Sequence, residues 1–183
     1  MNLARYMVVV IVAGTLLCLV PKANATDSYW DRLELRGRAG AFVPASQTLR
    51  DLSDVWAGIG LDVVAPGLVG RGSSTVLSID WFNRSWASGS NSVFPIILSE
   101  TMTVAQSSSS DFSLYVGAGA GMIIGDVGGP ANNVFAGKVL VGVTLTDRLF
   151  AEASYLFTDR FKVFDDTAKV RGDGLTVMLG YKF

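Results

Sequence analysis

Histidine is absent from the 183-residue chain. That absence excludes Ser-His-Asp and Cys-His catalytic groups and every metal site built on imidazole. Cysteine occurs once, as Cys18, so the chain has no internal disulfide framework and no thiolate cluster. Charge is also scarce. Asp, Glu, Lys and Arg make up 17% of the residues, against about 25% in an average soluble domain. The 15 basic residues are balanced by 16 acidic ones, which leaves no basic footprint for nucleic acid. No apolar run reaches the roughly 20 residues that a membrane-spanning helix needs. What is present is hydrophobic: half of the residues are apolar or aromatic, and mean hydropathy is +0.40.

The first 25 residues have the three parts of a secretory signal. Arg5 supplies the positive start, Met7 to Val20 the apolar stretch, and Ala23-Asn24-Ala25 a small-x-small cleavage site. Pro21 ends the apolar stretch, and Leu17 before Cys18 is too large for a lipoprotein site. Two regions are expected: 1–25 as a cleaved signal, and 26–183 as one folded domain. Cleavage removes the lone cysteine together with Arg5 and Lys22, leaving a more acidic chain with no disulfide in an oxidising compartment.

Past the signal the pattern is period two, the signature of strands with two unlike faces. Phe112, Leu114, Val116, Ala118, Ala120 and Met122 alternate with Ser113, Tyr115, Gly117, Gly119 and Gly121. Leu175, Val177, Leu179, Tyr181 and Phe183 alternate with Thr176, Met178, Gly180 and Lys182. Similar runs lie at 33–43, 55–63, 77–81, 135–145 and 149–157. A noisier one at about 93–105 carries Glu100 on its apolar face and Pro95 within it. There Glu100 suggests a bulge or a strand end, and Pro95 a marginal position. The total is eight strands of about 10 to 13 residues, an even number, as in bacterial single-chain barrels. Connections at 44–53, 84–92, 125–133 and 158–169 are longer than those at 106–110 and 146–148, with 65–72 between. Long loops at the outer end and short turns at the periplasmic end fit this arrangement.

The polar alternates include Arg36, Arg38, Asp62, Asp80, Lys138 and Glu152. Placed inside a narrow barrel, they must pair with one another. The opposite faces are then free for lipid. Trp81, Phe94, Phe135, Tyr155 and Phe157 fall near one set of strand ends and Phe112, Tyr181 and Phe183 near the other, as interfacial aromatics do. The reverse orientation gives a soluble barrel with an apolar interior that would hold a hydrophobic ligand.

A terminal strand with Val177, Leu179, Tyr181 and Phe183 at alternate positions resembles the assembly signal of bacterial outer-membrane barrels. Thr146-Asp147-Arg148-Leu149-Phe150-Ala151-Glu152-Ala153-Ser154-Tyr155 and Tyr115-Val116-Gly117-Ala118-Gly119-Ala120-Gly121 resemble the seventh and fifth strands of small opacity-type and OmpA-like barrels. The resemblance implies an all-β, eight-stranded antiparallel up-and-down transmembrane β-barrel in the outer membrane of a Gram-negative cell. Its implied partners are outer-membrane lipids, lipopolysaccharide and the barrel assembly machinery, with an unknown surface partner and a monomeric state.

No nucleic-acid partner, cofactor, metal site or catalytic constellation is expected. Gly117 to Gly121 lacks dinucleotide-binding spacing and a following helix, and is better read as inward glycines making room for large side chains. Lipid A deacylases share this size and place, but Ser154 beside Glu152 has no histidine to activate it. Trp86, Asn91, Phe161, Lys162, Phe164, Asp165 and Asp166 are the loop residues most open to contact with a partner. The expected role is structural or surface-interactive, and the internal charges form a network. The alternatives are a narrow channel or small-ligand carrier using those charges, and a lipid A-modifying enzyme.

Overall fold

A computed structural model describes residues 33–70, 72–84, 91–108, 111–127, 132–163 and 168–183. The proposed signal, Trp86, Phe164, Asp165 and Asp166 lie outside them. The domain from Leu33 to Phe183 is built from β1 (Glu34–Pro44), β2 (Trp56–Pro66), β3 (Ser73–Asn83), β4 (Asn91–Gln106), β5 (Ser113–Val127), β6 (Asn132–Thr144) and β7 (Leu149–Thr158). Two short strands, β8 (Arg160–Val163) and β9 (Ala168–Arg171), precede the last wall strand, β10 (Gly174–Lys182). Seven of the wall strands pair antiparallel with their sequence neighbours, and β10 closes the ring against β1 and β7. The result is a closed eight-stranded up-and-down barrel. Closure leaves no edge strand to be protected.

The alternation read from the sequence sorts the two faces of the wall as expected for the membrane orientation. Leu35, Ile59, Leu98, Val116, Val139, Val141, Leu149, Val177 and Leu179 point outward and are exposed. Arg38, Asp62, Asp80, Lys138 and Glu152 are buried inside. The reversed, ligand-holding orientation is therefore not the one adopted. Around the outside, the aromatic positions Trp81, Phe94, Phe112, Phe135, Tyr155 and Phe157 all fall on the outward alternation. Tyr155 and Phe157 pack in a tilted pair with ring centres 4.8 Å apart.

Several details differ from expectation. Strand length is less uniform: β10 has 9 residues, β5 has 15 and β4 has 16. Asn91 and Ser92 therefore belong to β4 rather than to a loop. Glu100 causes no break, because it pairs in register with Thr75 and with Ala118. The register slips further on, between Thr103 and Ala105. Glu100 stays on the outer face because the β2–β3 turn folds over it. The Leu68 and Val69 amides donate to its Oε1 at 2.8 and 3.2 Å, and the Thr75 hydroxyl to its Oε2 at 2.7 Å.

Pro95 is not marginal either. It lies five residues into β4, opposite Ile123 of β5. On its other side the β3–β4 pairing is interrupted between Ile79↔Ile96 and Phe82↔Val93. A residue without an N–H is tolerated where the ladder is already open.

The connection between β7 and β10 is not a plain loop. It carries a hairpin, β8–β9, outside the barrel sheet. The connection after β1 holds one helical turn, α1 (Gln47–Arg50), which buries Leu49.

Candidate functional site

The inside of the barrel is layered. Toward the end with the long connections, Phe42, Trp56, Phe82, Val93, Ile97, Ile123, Val127, Leu156 and Met178 pack into an apolar plug capped by Leu49 of α1. Phe42 meets Trp56 edge-on with ring centres 6.4 Å apart, and Phe82 at 5.4 Å. Glycines on neighbouring strands admit these large groups. A methyl group at Gly58 would overlap the Phe82 ring, and one at Gly174 the Phe42 ring. Gly142 and Gly180 do the same for Tyr115 and Phe150 nearer the other end.

Beside the plug lies a charged cluster centred on Arg38. Its Nε and Nη2 donate to the two carboxylate oxygens of Asp80 at 2.9 and 2.7 Å, a bidentate pair. Its Nη1 donates to Glu152 Oε1 at 3.1 Å. Asp62 Oδ1 lies 3.4 Å from Nη2, an ion pair that lacks hydrogen-bond geometry. Lys138 Nζ donates to the same Glu152 oxygen at 3.2 Å and to Ser78 Oγ at 3.5 Å. Five charged groups from β1, β2, β3, β6 and β7 are thus tied together, and the Arg38 side chain is only 1% exposed. Bidentate, charge-assisted bonds of this type are the strong ones. They are also what makes burial of the ions tolerable.

Gly60 makes the central pair possible. Arg38 and Asp80 both face Gly60, one from β1 and one from β3. The guanidinium reaches Asp80 across the space that a side chain on β2 would fill. A methyl group there would sit 3.0 Å from Arg38 Nε and overlap Asp80 Oδ1. The sequence gives no sign of this role, because Gly60 is one of many glycines on alternating strands.

Of the six interior charges expected from the sequence, five meet and one stands apart. Arg36 ion-pairs with Glu34 on its own strand and lies over the Phe150 ring, 5.3 Å from its centre. It belongs to the end of the barrel where the Phe183 amide meets the Leu35 carbonyl. Uncharged polar groups complete the interior. Ser154 and Thr176 share a hydrogen bond, and Ser99 Oγ and the Tyr115 hydroxyl have no protein partner among the described residues.

The glycines of β5 play a different part from the one expected. Gly117, Gly119 and Gly121 face the backbone of β4 and the small side chains of Thr101 and Ser99, not large side chains. They allow close approach of β4 and β5. Phe161 and Lys162 are placed on β8 and Asn91 on β4.

At the terminal end, the Arg148 guanidinium donates to the Tyr181 hydroxyl at 2.8 Å, and that bond pushes Arg148 further up from its ordinary pKa. Tyr181 and Phe183 meet edge-to-face with ring centres 5.5 Å apart, and the Phe183 amide donates to the Leu35 carbonyl at 3.0 Å. Val177, Leu179, Tyr181 and Phe183 all point outward.

No family model matches this chain, and neither does any curated protein. Among solved structures, the crystal structure of Neisserial surface protein A (NspA) matches with a TM-score of 0.54, covering 82% of this chain and 97% of that one. The chain shares the fold of NspA. Sequence identity is 18%, so the likeness to NspA is one of fold alone. The charged cluster is a property of this chain's own residues.

Proposed function

We propose that this chain is an integral outer-membrane barrel protein, exported with loss of residues 1–25, whose role is structural or surface-interactive. The observation that carries the reading is the chemistry of the wall. Outward positions along all eight strands are mostly Leu, Val, Ile, Ala, Gly, Met and aromatic residues, with uncharged polar ones such as Ser73, Thr75, Ser92 and Asn133 near strand ends. Glu100 and Asp126 are the charged exceptions among the described wall residues. In water such a surface would far exceed the apolar patches that monomers tolerate. In lipid it is what the hydrocarbon demands, since charge on the outer face is costly there.

The fold shared with a surface protein supports the same reading, as does the Tyr-x-Phe terminus expected to engage the assembly machinery. Lipids and lipopolysaccharide would then be the immediate surroundings. The interior supports a network that holds strands together more than a conduit, because the aromatic plug fills the space beside the charges. No catalytic role is assigned.

The test is heat modifiability after folding into detergent, combined with cell fractionation. A membrane barrel migrates differently unheated and boiled and follows the outer membrane. Unchanged mobility together with recovery in the soluble periplasmic fraction would overturn the proposal.

A further inference from the structure

The β8–β9 hairpin has an arrangement of charge that costs it stability. Its register sets Arg160 opposite Arg171 and Lys162 opposite Lys169. Like charges placed directly across a ladder repel, and Arg160 and Arg171 are such a pair. Phe161↔Val170 and Val163↔Ala168 supply the apolar alternates, and Val170 is buried against the barrel plug. One face of the hairpin is thereby fixed to the barrel, and the cationic positions belong to the other.

Beneath that face is an open cleft of about 460 Å³. Arg160, Lys169 and Arg171 line it from the hairpin together with the inner residue Val170, and Ala45, Ser46 and Thr48 from the α1 segment. Asp173 also lines it, but its carboxylate is engaged. Oδ1 accepts from the Thr158 amide at 2.6 Å, and Oδ2 pairs with Arg171 at 2.9 Å. Asp173 therefore positions Arg171 and offsets one of three cations. The Ala45 amide donates to the Asp173 carbonyl at 2.8 Å, which ties the two sides of the cleft together.

We propose that this cleft, at the end of the barrel with the long connections, is a binding site for phosphate-bearing anions. Guanidinium groups match phosphate oxygens in forked geometry, an ammonium adds a point charge, and the serine and threonine hydroxyls can donate to the remaining oxygens. A bound anion relieves the repulsion built into the hairpin. The volume lies within the range of small-molecule sites, large enough for a phosphorylated headgroup as well as for a small free phosphate. The site stands on its own geometry. Only a lipid source for the ligand rests on the membrane reading above.

The test uses the full folded chain in a neutral detergent, titrated by calorimetry with inorganic pyrophosphate. A parallel titration uses short-chain phosphatidic acid in mixed micelles, with phosphatidylcholine as the control. Binding of either phosphate probe is expected to weaken about tenfold or more in the Arg160→Gln and Lys169→Gln variants, the loss of one charge-assisted bond. Lys169→Arg should stay within about threefold by the same reckoning. Tighter binding of phosphatidic acid than of pyrophosphate identifies a lipid headgroup as the source, and the reverse identifies a soluble anion.

The proposal is overturned if neither probe binds, or if both variants bind like the unaltered chain while keeping its unheated gel mobility. Should a variant lose that mobility, Lys169→Arg and the unaltered chain still decide whether a phosphate site exists. Should the chain fold in plain buffer without detergent, the membrane reading fails, and the pyrophosphate titration still judges the cleft.

Discussion

Replacing Arg38 by Met tests whether the interior cluster holds the barrel together. In the folded chain the guanidinium makes two bonds to Asp80, one to Glu152 and an ion pair with Asp62. Its removal leaves three carboxylates facing Lys138 alone, in a space sealed by the aromatic plug. Breaking a buried ion pair from one side costs about 3–5 kcal/mol, because the remaining charge is left uncompensated. The folded fraction relative to unfolded should fall between about a hundredfold and a few thousandfold.

Arg36→Met is the matched control. Its partner Glu34 has a side chain 37% exposed, so the pair is screened by water, and the loss should be about 1 kcal/mol or less. Combining Arg38→Met with Asp80→Asn restores the original charge balance and should recover at least half of the lost stability. The assay is urea unfolding of the chain folded into vesicles, followed by tryptophan emission and by the unheated gel band. The midpoint should move while the slope stays constant. Arg38→Met within about 0.5 kcal/mol of the unaltered chain, the usual range for a surface substitution, would refute the network. So would a double variant no more stable than the single one.

Other outcomes follow from the same structure. Gly60→Ala should destabilise by about 1–3 kcal/mol, the cost of overpacking, and the loss should shrink in an Arg38→Met background where the crowded pair is gone. Gly137→Ala, whose added methyl meets nothing nearer than the Gly119 carbonyl at 3.8 Å, should change stability by less than about 0.5 kcal/mol. Both are read by the same urea titration. Glu100→Ala should free the β2–β3 turn, and amide exchange at Leu68 and Val69 should accelerate at least tenfold by NMR while β6 and β7 stay protected. Phe183→Ala should lose about 1 kcal/mol or less in purified form, because its side chain is largely exposed. A several-fold drop in its level in the cell envelope would then report on assembly, and an equal drop in purified stability would refute that role.

The architecture was legible because period-two alternation is a local property. Phe112 to Met122 and Leu175 to Phe183 each declare two unlike faces within a dozen residues, and eight such runs with turns between them leave few ways to fold. The run at 93–105 does form a strand, β4, but Glu100 and Pro95 within it break local rules for reasons that lie on other strands. A turn from β2–β3 caps the one, and an interrupted ladder with β3 accommodates the other. The hairpin of β8 and β9 was overlooked for a similar reason. Arg160-Phe161-Lys162-Val163 and Ala168-Lys169-Val170-Arg171 do alternate, but four residues are too few to separate a strand from a polar loop.

By itself the sequence determined which side chains share a face, how many strands form the wall, and that charges of both signs gather on one face and must pair if that face is the interior. Those follow from strand geometry and from the cost of leaving an ion unpaired. Only the tertiary structure decided which charges meet. Arg38 reaches Asp80 because Gly60 clears the path between them, and it reaches Glu152 because closure of β10 between β1 and β7 brings distant strands to the same interior. Arg36, two residues away with the same chemistry, is left with Glu34 and Phe150. Register and closure are set by contacts between distant strands, and no local pattern contains them.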